Sequence, residues 1–464
     1  MSQKQSDFTR VLSRIDVFFL AIGSMLGWSW VALSGTWVTS AGSMGSIVSF
    51  VIGGFLIIFV GLTYAELASA MPQVGGEHAY VLRAMGRNAS FIVSWMLALG
   101  YISVVAFEAV ALPTVVDYIV PNYEIGYMWT IAGWDVYFSW ALIGIIGSII
   151  ITAVNYFGIK QAAFIQIVLS AVILLMGVML IFGSMINGDS SNLKPLFVDG
   201  AIGVTTVLVM VPFLFVGFDV IPQVAEEINL PFRQIGKILM ISVVCVAVFY
   251  AFISLGVSLA LDQTELGTTE LATADAMKAL FGSEFFAYLL ILGGVAGIIT
   301  SWNALMIGAS RVLYAMAKSG MIPVWFGYLH PKYKTPTNAV FAIGVPSVLS
   351  PLLGRPALVW LVNAGGFGIV ISYFMVAIAF IVLRKKEPDM ERPYRSGKSS
   401  AVGWIAAVFC LGFITLYLPG MPASLSWPTE WVLVGAWVII GLYYFVQMNR
   451  SKYGMDNESS SIDM

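Results

Sequence analysis

Residues 212–222 read Pro-Phe-Leu-Phe-Val-Gly-Phe-Asp-Val-Ile-Pro, and they lie inside a long apolar stretch. Two prolines and a glycine interrupt a helix, because proline lacks a backbone donor and glycine accepts non-helical torsions. Residues 23–29, Gly-Ser-Met-Leu-Gly-Trp-Ser, form a similar interruption in the first apolar stretch. In lipid, unpaired backbone groups are tolerated only where they line a cavity or are buried in protein. Both stretches are therefore predicted to unwind within a membrane.

The composition of the whole chain is that of a membrane protein. Of its 464 residues, 59% are hydrophobic and 10% are charged, whereas a soluble domain carries about 25% charged residues. These values exclude a disordered chain, a nucleic-acid binder and an ordinary soluble enzyme. The long solid apolar runs predict an all-α polytopic membrane protein.

A helix needs about 20 residues to cross the hydrocarbon core. The apolar runs predict twelve transmembrane helices, near 15–40, 46–71, 90–120, 136–157, 162–186, 201–225, 237–261, 285–317, 337–353, 357–383, 402–420 and 429–448. With the N-terminus in the cytoplasm, only Lys194, Lys278 and Arg355 fall outside, and the other 20 of the 23 Lys and Arg residues fall inside. Basic residues concentrate on the cytoplasmic side. Both termini are therefore predicted to be cytoplasmic, in a multi-pass protein of the cytoplasmic (inner) membrane.

The two interruptions lie five spans apart, in the leading helices of two blocks of similar length, 15–186 and 201–383. Because five is odd, the second block would be inserted upside down relative to the first. This is the pattern of inverted-repeat transporters, whose substrate site lies where the two breaks face each other. The alternative is that glycine and proline only allow close helix packing. Around the blocks we expect a cytoplasmic N-terminal segment (1–14), two further helices (402–448) and a disordered cytoplasmic tail (449–464).

Several stretches also match a known sequence pattern. They are Gly-Ser-Met-Leu-Gly-Trp-Ser-Trp (23–30), Tyr-Ala-Glu-Leu (64–67) with Met-Pro (71–72) and Gly-Gly (75–76), Phe-Val-Gly-Phe-Asp (215–219), Ala-Glu-Glu-Ile-Asn-Leu-Pro (225–231), Asn303, Ser-Arg (310–311), and Ala-Lys-Ser-Gly (317–320) with Pro323. In this combination the chain resembles the amino acid–polyamine–organocation (APC) superfamily of transporters over essentially all of its first ten spans. The resemblance implies a leucine-transporter-like fold with a 5+5 inverted repeat plus two C-terminal helices, and an amino acid or amine as substrate.

The resemblance also implies which residues bind the substrate. They are Met25, Leu26, Gly27, Trp28 and Ser29 of the first break, and Phe215, Val216, Gly217 and Phe218 of the sixth. Trp28 and Ser29 stand where the family carries a small residue and a glycine. A large indole at this turn favours a small substrate, unless it packs between helices instead. Many relatives also carry a lysine midway along the fifth span, a position near Ile173 here, so a lysine mechanism is not carried over.

The remaining candidates are polar residues within the spans. Glu108 is predicted to carry a proton or to recognise a substrate amine, with a structural acid as the alternative, because charged residues at this depth face a cavity or a partner. Asp219 is expected to cap the unwound segment or to act in gating and proton coupling. Asn303 is a candidate ligand for a coupling cation or a structural hydrogen-bonding residue. We expect a structural role for Glu66, and for Glu226 and Glu227 a salt bridge with a first-span residue such as Arg14.

Together these features predict a secondary active transporter that moves a small amino acid or related amine by alternating access, with proton coupling favoured. A sodium-coupled symporter, an exchanger and a transport-dead membrane sensor are the alternatives. An enzyme is disfavoured, because the two histidines lie in separate connections and no catalytic set is present. We expect no cofactor, structural metal or nucleic-acid partner. The expected partners are the small-molecule substrate, the lipid bilayer and a coupling ion, either a proton or Na⁺.

Overall fold

The computed structural model describes residues 8–120, 122–269, 271–421 and 424–462, with side chains at 161 and 451–462 not included. Positions 1–7 of the predicted N-terminal segment, with Lys4, and 463–464 of the predicted tail lie outside the described residues. The helices are α1 (Arg14–Met25), α2 (Ser29–Ala32), α3 (Ser34–Ala41), α4 (Ser43–Ala70), α5 (Glu77–Met85), α6 (Arg87–Ile119), α7 (Phe138–Phe157), α8 (Ile159–Asn187), α9 (Ala201–Leu208), α10 (Val211–Leu214), α11 (Val220–Gln223), α12 (Phe232–Ala260), α13 (Gln263–Thr268), α14 (Ala272–Phe281), α15 (Glu284–Lys318), α16 (Thr337–Leu349), α17 (Ala357–Lys386), α18 (Ala401–Leu416) and α19 (Thr429–Ile462).

The longest of these helices are apolar enough to cross a membrane. Among the described residues nine segments meet that description: Arg14–Ala32, Ser43–Ala70, Arg87–Ile119, Phe138–Phe157, Ala162–Asn187, Phe232–Ala260, Glu284–Lys318, Ala357–Lys386 and Thr429–Arg450. Three shorter apolar segments, Ala201–Leu214, Thr337–Leu353 and Ala401–Leu416, coincide with the predicted sixth, ninth and eleventh spans. The chain is a polytopic helical membrane protein.

Both predicted helix interruptions are present. The first span stops at Met25 and resumes at Ser29. In the sixth span, α10 stops at Leu214 and α11 begins at Val220. The backbone between these ends is irregular, as the glycines and prolines of both stretches predict.

The connection at 262–284, between the predicted seventh and eighth spans, folds into α13 and α14. Asp262 caps α13 by accepting hydrogen bonds from the N–H groups of Thr264 and Glu265, both 2.8 Å long. Helix α14 buries its apolar face and packs on α2 and α3. A second unpredicted element is the antiparallel hairpin of β1 (Tyr127–Ile131) and β2 (Trp134–Tyr137).

The core surrounds α15, which is buried along most of its length. Helix α6 packs along both α15 and α17, and α4 packs along α12. Helix α1 packs against α8 and α15. This arrangement places the first-span break between α6, α15 and the sixth-span break.

Candidate substrate site

The two breaks face each other across a small cavity. Its volume is about 20 Å³, measured as space open to the centre of a water molecule, which is room for about one water. The lining residues come from both breaks, from α6 and from α15. They are Ser24, Met25, Gly27, Trp28, Ser29, Val104, Phe107, Glu108, Phe213, Leu214, Val216 and Ser301. A cavity of this size is too small to hold an amino acid.

Glycine lets the two breaks approach this closely. Gly217 has φ +132°, and a Cβ built on it would lie 2.4 Å from Ser24 Oγ. On the other side of the first break, a Cβ built on Gly297 of α15 would lie 2.6 Å from Gly27 O. Real Cβ atoms do not make such contacts, so a side chain at Gly217 would push the two breaks apart, and one at Gly297 would push α15 away from the first break.

The first break leaves backbone donors without helical partners. The N–H of Leu26 still bonds to Ile22 O at 2.9 Å, and the next bond of this kind runs from Val31 to Trp28 O at 3.0 Å. Between them, the N–H groups of Gly27, Trp28 and Ser29 make no backbone hydrogen bond to any residue that the structure describes. An anionic group can bind such a set of donors.

Tyr250 of α12 joins the two breaks. Its hydroxyl oxygen lies 2.8 Å from Met25 O and 3.1 Å from Leu214 O. Since a hydroxyl has one proton, it donates to one of these carbonyls at a time. Ser29 Oγ lies 3.3 Å from the same oxygen. Tyr250 therefore connects the backbone of the first break with that of the sixth-span break.

Glu108 is the ionisable residue that lines the cavity. Its side chain is buried, and Oε1 reaches so close to the first break that a Cβ on Gly27 would lie 2.8 Å away. Ser301 of α15 lies beside it in the lining of the cavity. The other oxygen, Oε2, has no hydrogen-bond partner among the described residues. A buried carboxylate in this state lacks the compensating charge or donor that burial demands.

The indole of Trp28 both lines the cavity and packs between helices. A Cβ on Gly294 of α15 would lie 2.2 Å from the Cζ3 atom of the ring. The side chain is buried and occupies space that a small residue would leave open. Trp28 therefore limits the cavity to its present size.

Not every residue singled out in the sequence lies at the cavity. Met25, Gly27, Trp28, Ser29, Val216 and Glu108 line it, whereas Leu26, Phe215, Gly217 and Phe218 do not. Phe215 packs on Tyr250, with ring centroids 5.6 Å apart. Phe218 packs between Tyr64 and Tyr373, at 5.3 Å from each. These two aromatic residues pack against neighbouring helices and hold the sixth-span break in place without lining the cavity.

Asp219 and Asn303 also lie outside the lining. Asp219 accepts hydrogen bonds from the Gly217 N–H (2.7 Å) and from the Tyr101 hydroxyl (2.8 Å). Asn303 accepts one from Asn155 Nδ2 at 3.0 Å, and donates to Ala162 O at 3.1 Å and to Gln166 Oε1 at 3.0 Å. Asp219 thus caps unwound backbone, and Asn303 joins α15 to α7 and α8.

The sequence reasoning missed Phe107, Phe213 and Tyr250. The first two meet edge to face across the cavity, with centroids 6.0 Å apart. Phe107 directly precedes Glu108, and Phe213 lies in the sixth-span break at residues 212–222. Both positions could therefore have been predicted to lie near the site. Tyr250 resembles any aromatic residue of an apolar helix, and only the fold brings its hydroxyl to the breaks.

Two acids at the ends of the spans, Glu66 and Glu227, are paired with arginine. Arg311 Nε donates to Glu227 Oε1 at 2.9 Å, so the expected partner Arg14 was wrong for Glu227: α15, not the first span, supplies its cation. Glu226 accepts a hydrogen bond from the Val74 N–H at 3.0 Å. Glu66 pairs with Arg384 and Arg392. This is the arrangement of structural ion pairs.

A family model described as amino acid permease matches residues 12–443. The chain belongs to the amino acid permease family. Members of this APC family are transporters and not enzymes, so the permease is a transporter.

Similar proteins occur in Bacillus subtilis (strain 168). The permease is 27% identical to the branched-chain amino acid permease BcaP over 456 residues, which is 97% of this chain and 95% of that protein. It is 26% identical to the methylthioribose transporter, over 96% of this chain and 95% of that protein. It is 25% identical to the aspartate-proton symporter, over 95% of this chain and 84% of that protein.

Proposed function

We propose that this permease moves a small amino acid or related amine across the cytoplasmic membrane by alternating access, coupled to protons. The observation that carries the proposal is Glu108, a buried acid at the cavity between two unwound helices, with one oxygen lacking a partner among the described residues. Either an ammonium group or a proton would compensate its charge.

The proposed architecture has twelve spans in a 5+5 inverted repeat plus two C-terminal helices, with both termini cytoplasmic. Contacts among the connections support this count, because those predicted inside contact one another and those predicted outside do the same. Inside pairs are Leu12 with Ile228, Val74 with Glu226, His78 with Ser319, and Arg83 with Glu387. Outside pairs are Ser43 with Leu193, Tyr118 with Asp275, and Trp129 with Leu352.

The chemistry of the breaks suits a zwitterion. The unbonded N–H groups of Gly27, Trp28 and Ser29 would bind the carboxylate. Met25 O and Leu214 O, which now lie within hydrogen-bonding distance of the Tyr250 hydroxyl, would bind the ammonium group together with Glu108. Because Trp28 fills the space beside this turn, the substrate side chain is small.

Proton coupling follows from the same arrangement. A charged Glu108 attracts the ammonium group of the substrate, and a protonated Glu108 can remain buried when the site is empty. In the part of the chain that the structure describes, no salt bridge supplies Glu108 with an internal cation. Sodium coupling would instead need oxygen ligands such as Ser301, and Asn303 would have to leave its contacts with α7 and α8.

Transport by purified protein in liposomes tests the proposal. A panel of radiolabelled amino acids and amines is offered under an inward proton gradient, under an inward sodium gradient, or with substrate preloaded for exchange. We expect accumulation under the proton gradient and its loss when a protonophore is added. Accumulation driven by sodium would contradict proton coupling and indicate a sodium symporter, and exchange without accumulation would indicate an exchanger. The absence of transport in every condition would reject the whole proposal.

A further inference from the structure

A second pair of acids lies away from the cavity, where α5 meets the sixth-span break. Glu77, the first residue of α5, is completely buried. Gln223 of α11 donates a hydrogen bond to Glu77 Oε2, whereas Oε1 has no partner among the described residues. A Cβ built on Gly76 would lie 2.6 Å from Pro222 Cβ, so the beginning of α5 is pressed against α11.

Asp219 is the other member of the pair. It is also completely buried, and it lies one helical turn before Gln223, the residue of α11 that donates to Glu77. Its two oxygens accept from the Tyr101 hydroxyl and the Gly217 N–H. Asp219 belongs to the sixth-span break, so the pair joins this break to the connection between α4 and α6.

The surroundings of the pair are polar but supply no positive charge. The titratable groups that face it are the buried hydroxyls of Tyr64 on α4, Tyr80 on α5, Tyr101 on α6 and Tyr373 on α17. Among the described residues no lysine or arginine forms a salt bridge with either carboxylate. Burial without a cation, together with a like charge nearby, disfavours the state in which both carboxylates are ionised.

We propose that Glu77 and Asp219 together hold one proton and form a second proton-binding site, which keeps α5 attached to the sixth-span break. Burial, and then the charge of Asp219, raise the pKa of the Glu77 carboxyl well above its usual value. When α5 separates from α11, water reaches the pair, the carboxyl O–H bond breaks and the proton passes to water. The two remaining negative charges repel each other and keep α5 separated from α11.

This release rests on the proposed proton-coupled transport, but occupancy of the site by a proton does not. Infrared spectroscopy of the full-length protein measures occupancy, because a protonated carboxyl and a carboxylate absorb at different frequencies. At pH 7 we expect Glu77→Gln to remove a protonated-carboxyl band from the wild-type spectrum. The matched control Glu391→Gln, at an exposed position, should remove only a carboxylate band. If the Glu77→Gln spectrum instead lacks only a carboxylate band relative to the wild type, as expected for the control, the proposal is overturned.

Asp219→Asn gives a second measurement if Glu77→Gln does not fold. Without the negative neighbour, the Glu77 carboxyl should ionise at a lower pH, and its infrared band should titrate accordingly. An unchanged titration would mean that the two acids do not share a proton.

Transport measurements then separate the second site from the transport proposal. In liposomes, Glu77→Gln should retain substrate exchange, while accumulation driven by the proton gradient falls about tenfold, equivalent to about 1.4 kcal/mol. Full accumulation by Glu77→Gln would overturn a coupling role for the pair. If the wild type transports nothing, the transport proposal fails, and the infrared result still decides whether the pair holds a proton.

Discussion

Three buried acids of this permease, Glu66, Glu227 and Glu108, lie in two regions with opposite electrostatics. Near the ends of the spans, Glu66 and Glu227 are matched by arginine within the chain, with N–O distances between 2.5 and 3.0 Å. In the middle, Glu108 lines the cavity with an oxygen that has no partner among the described residues. Burial of a charge demands compensation. The first region has this compensation built in, and the second leaves room for a mobile cation or proton.

The strongest test of this contrast breaks a matched pair. Glu227→Gln leaves Arg311 charged and buried without its carboxylate, so we expect a loss of about 3–5 kcal/mol in the free energy of unfolding. The melting temperature of the purified protein in detergent measures the effect. Glu391→Gln, an exposed substitution of the same chemistry, should change stability by less than about 0.5 kcal/mol. Equal melting temperatures for the two variants would contradict a structural role for the pair.

A buried histidine extends the comparison to a group whose hydrogen-bonding partners among the described residues are all uncharged. His78 of α5 lies within hydrogen-bonding distance of the hydroxyls of Ser90, Ser94 and Ser319. Burial lowers the pKa of His78 to about 4, below the usual 6.5. Between these values the unfolded chain binds the extra proton, so stability falls as the pH drops from 6.5 towards 4, by up to about 3 kcal/mol.

The His78→Gln variant isolates this contribution. Glutamine takes up no proton, so the stability difference between wild type and variant should shrink steadily as the pH is lowered through this range. Chemical unfolding at a series of pH values measures it. A pH-independent difference would mean that His78 keeps its ordinary pKa in the folded protein.

The two regions also differ in how far the sequence predicts them. The breaks were predictable because glycine and proline act locally on the backbone, and Glu108 because an acid deep in an apolar run has few explanations. Glu77 follows two glycines in a polar connection, where an acid is normally solvated, and only the packing of α5 on α11 buries it. The pairing of Glu227 with Arg311 joins positions 84 residues apart, and nothing local selects Arg311 over Arg14.

A change at the unmatched acid should alter transport more than stability. Glu108→Gln keeps the shape of the side chain and removes the charge, so we expect little change in melting temperature. Accumulation driven by a proton gradient should fall about tenfold, which is equivalent to a free-energy change of about 1.4 kcal/mol. Uptake should also lose its dependence on pH. An unchanged pH profile of uptake would show that Glu108 carries no coupling proton, and a large loss of stability would place it with the matched acids.

The smallest expected effect concerns the hydrogen bond that joins the breaks. Tyr250→Phe removes the hydroxyl that lies between Met25 O and Leu214 O, and a hydrogen bond of this kind contributes about 0.5–1.5 kcal/mol. Because the two carbonyls would become available to the ammonium group of a substrate, the variant should lose a little stability when empty and regain it when substrate is added. Melting temperatures of wild type and Tyr250→Phe, each with and without a transported substrate, measure this difference. Tyr328→Phe, a substitution in the connection after α15, provides the control. An equal change in melting temperature on addition of substrate for the two variants would show that the Tyr250 hydroxyl has no role at the substrate site.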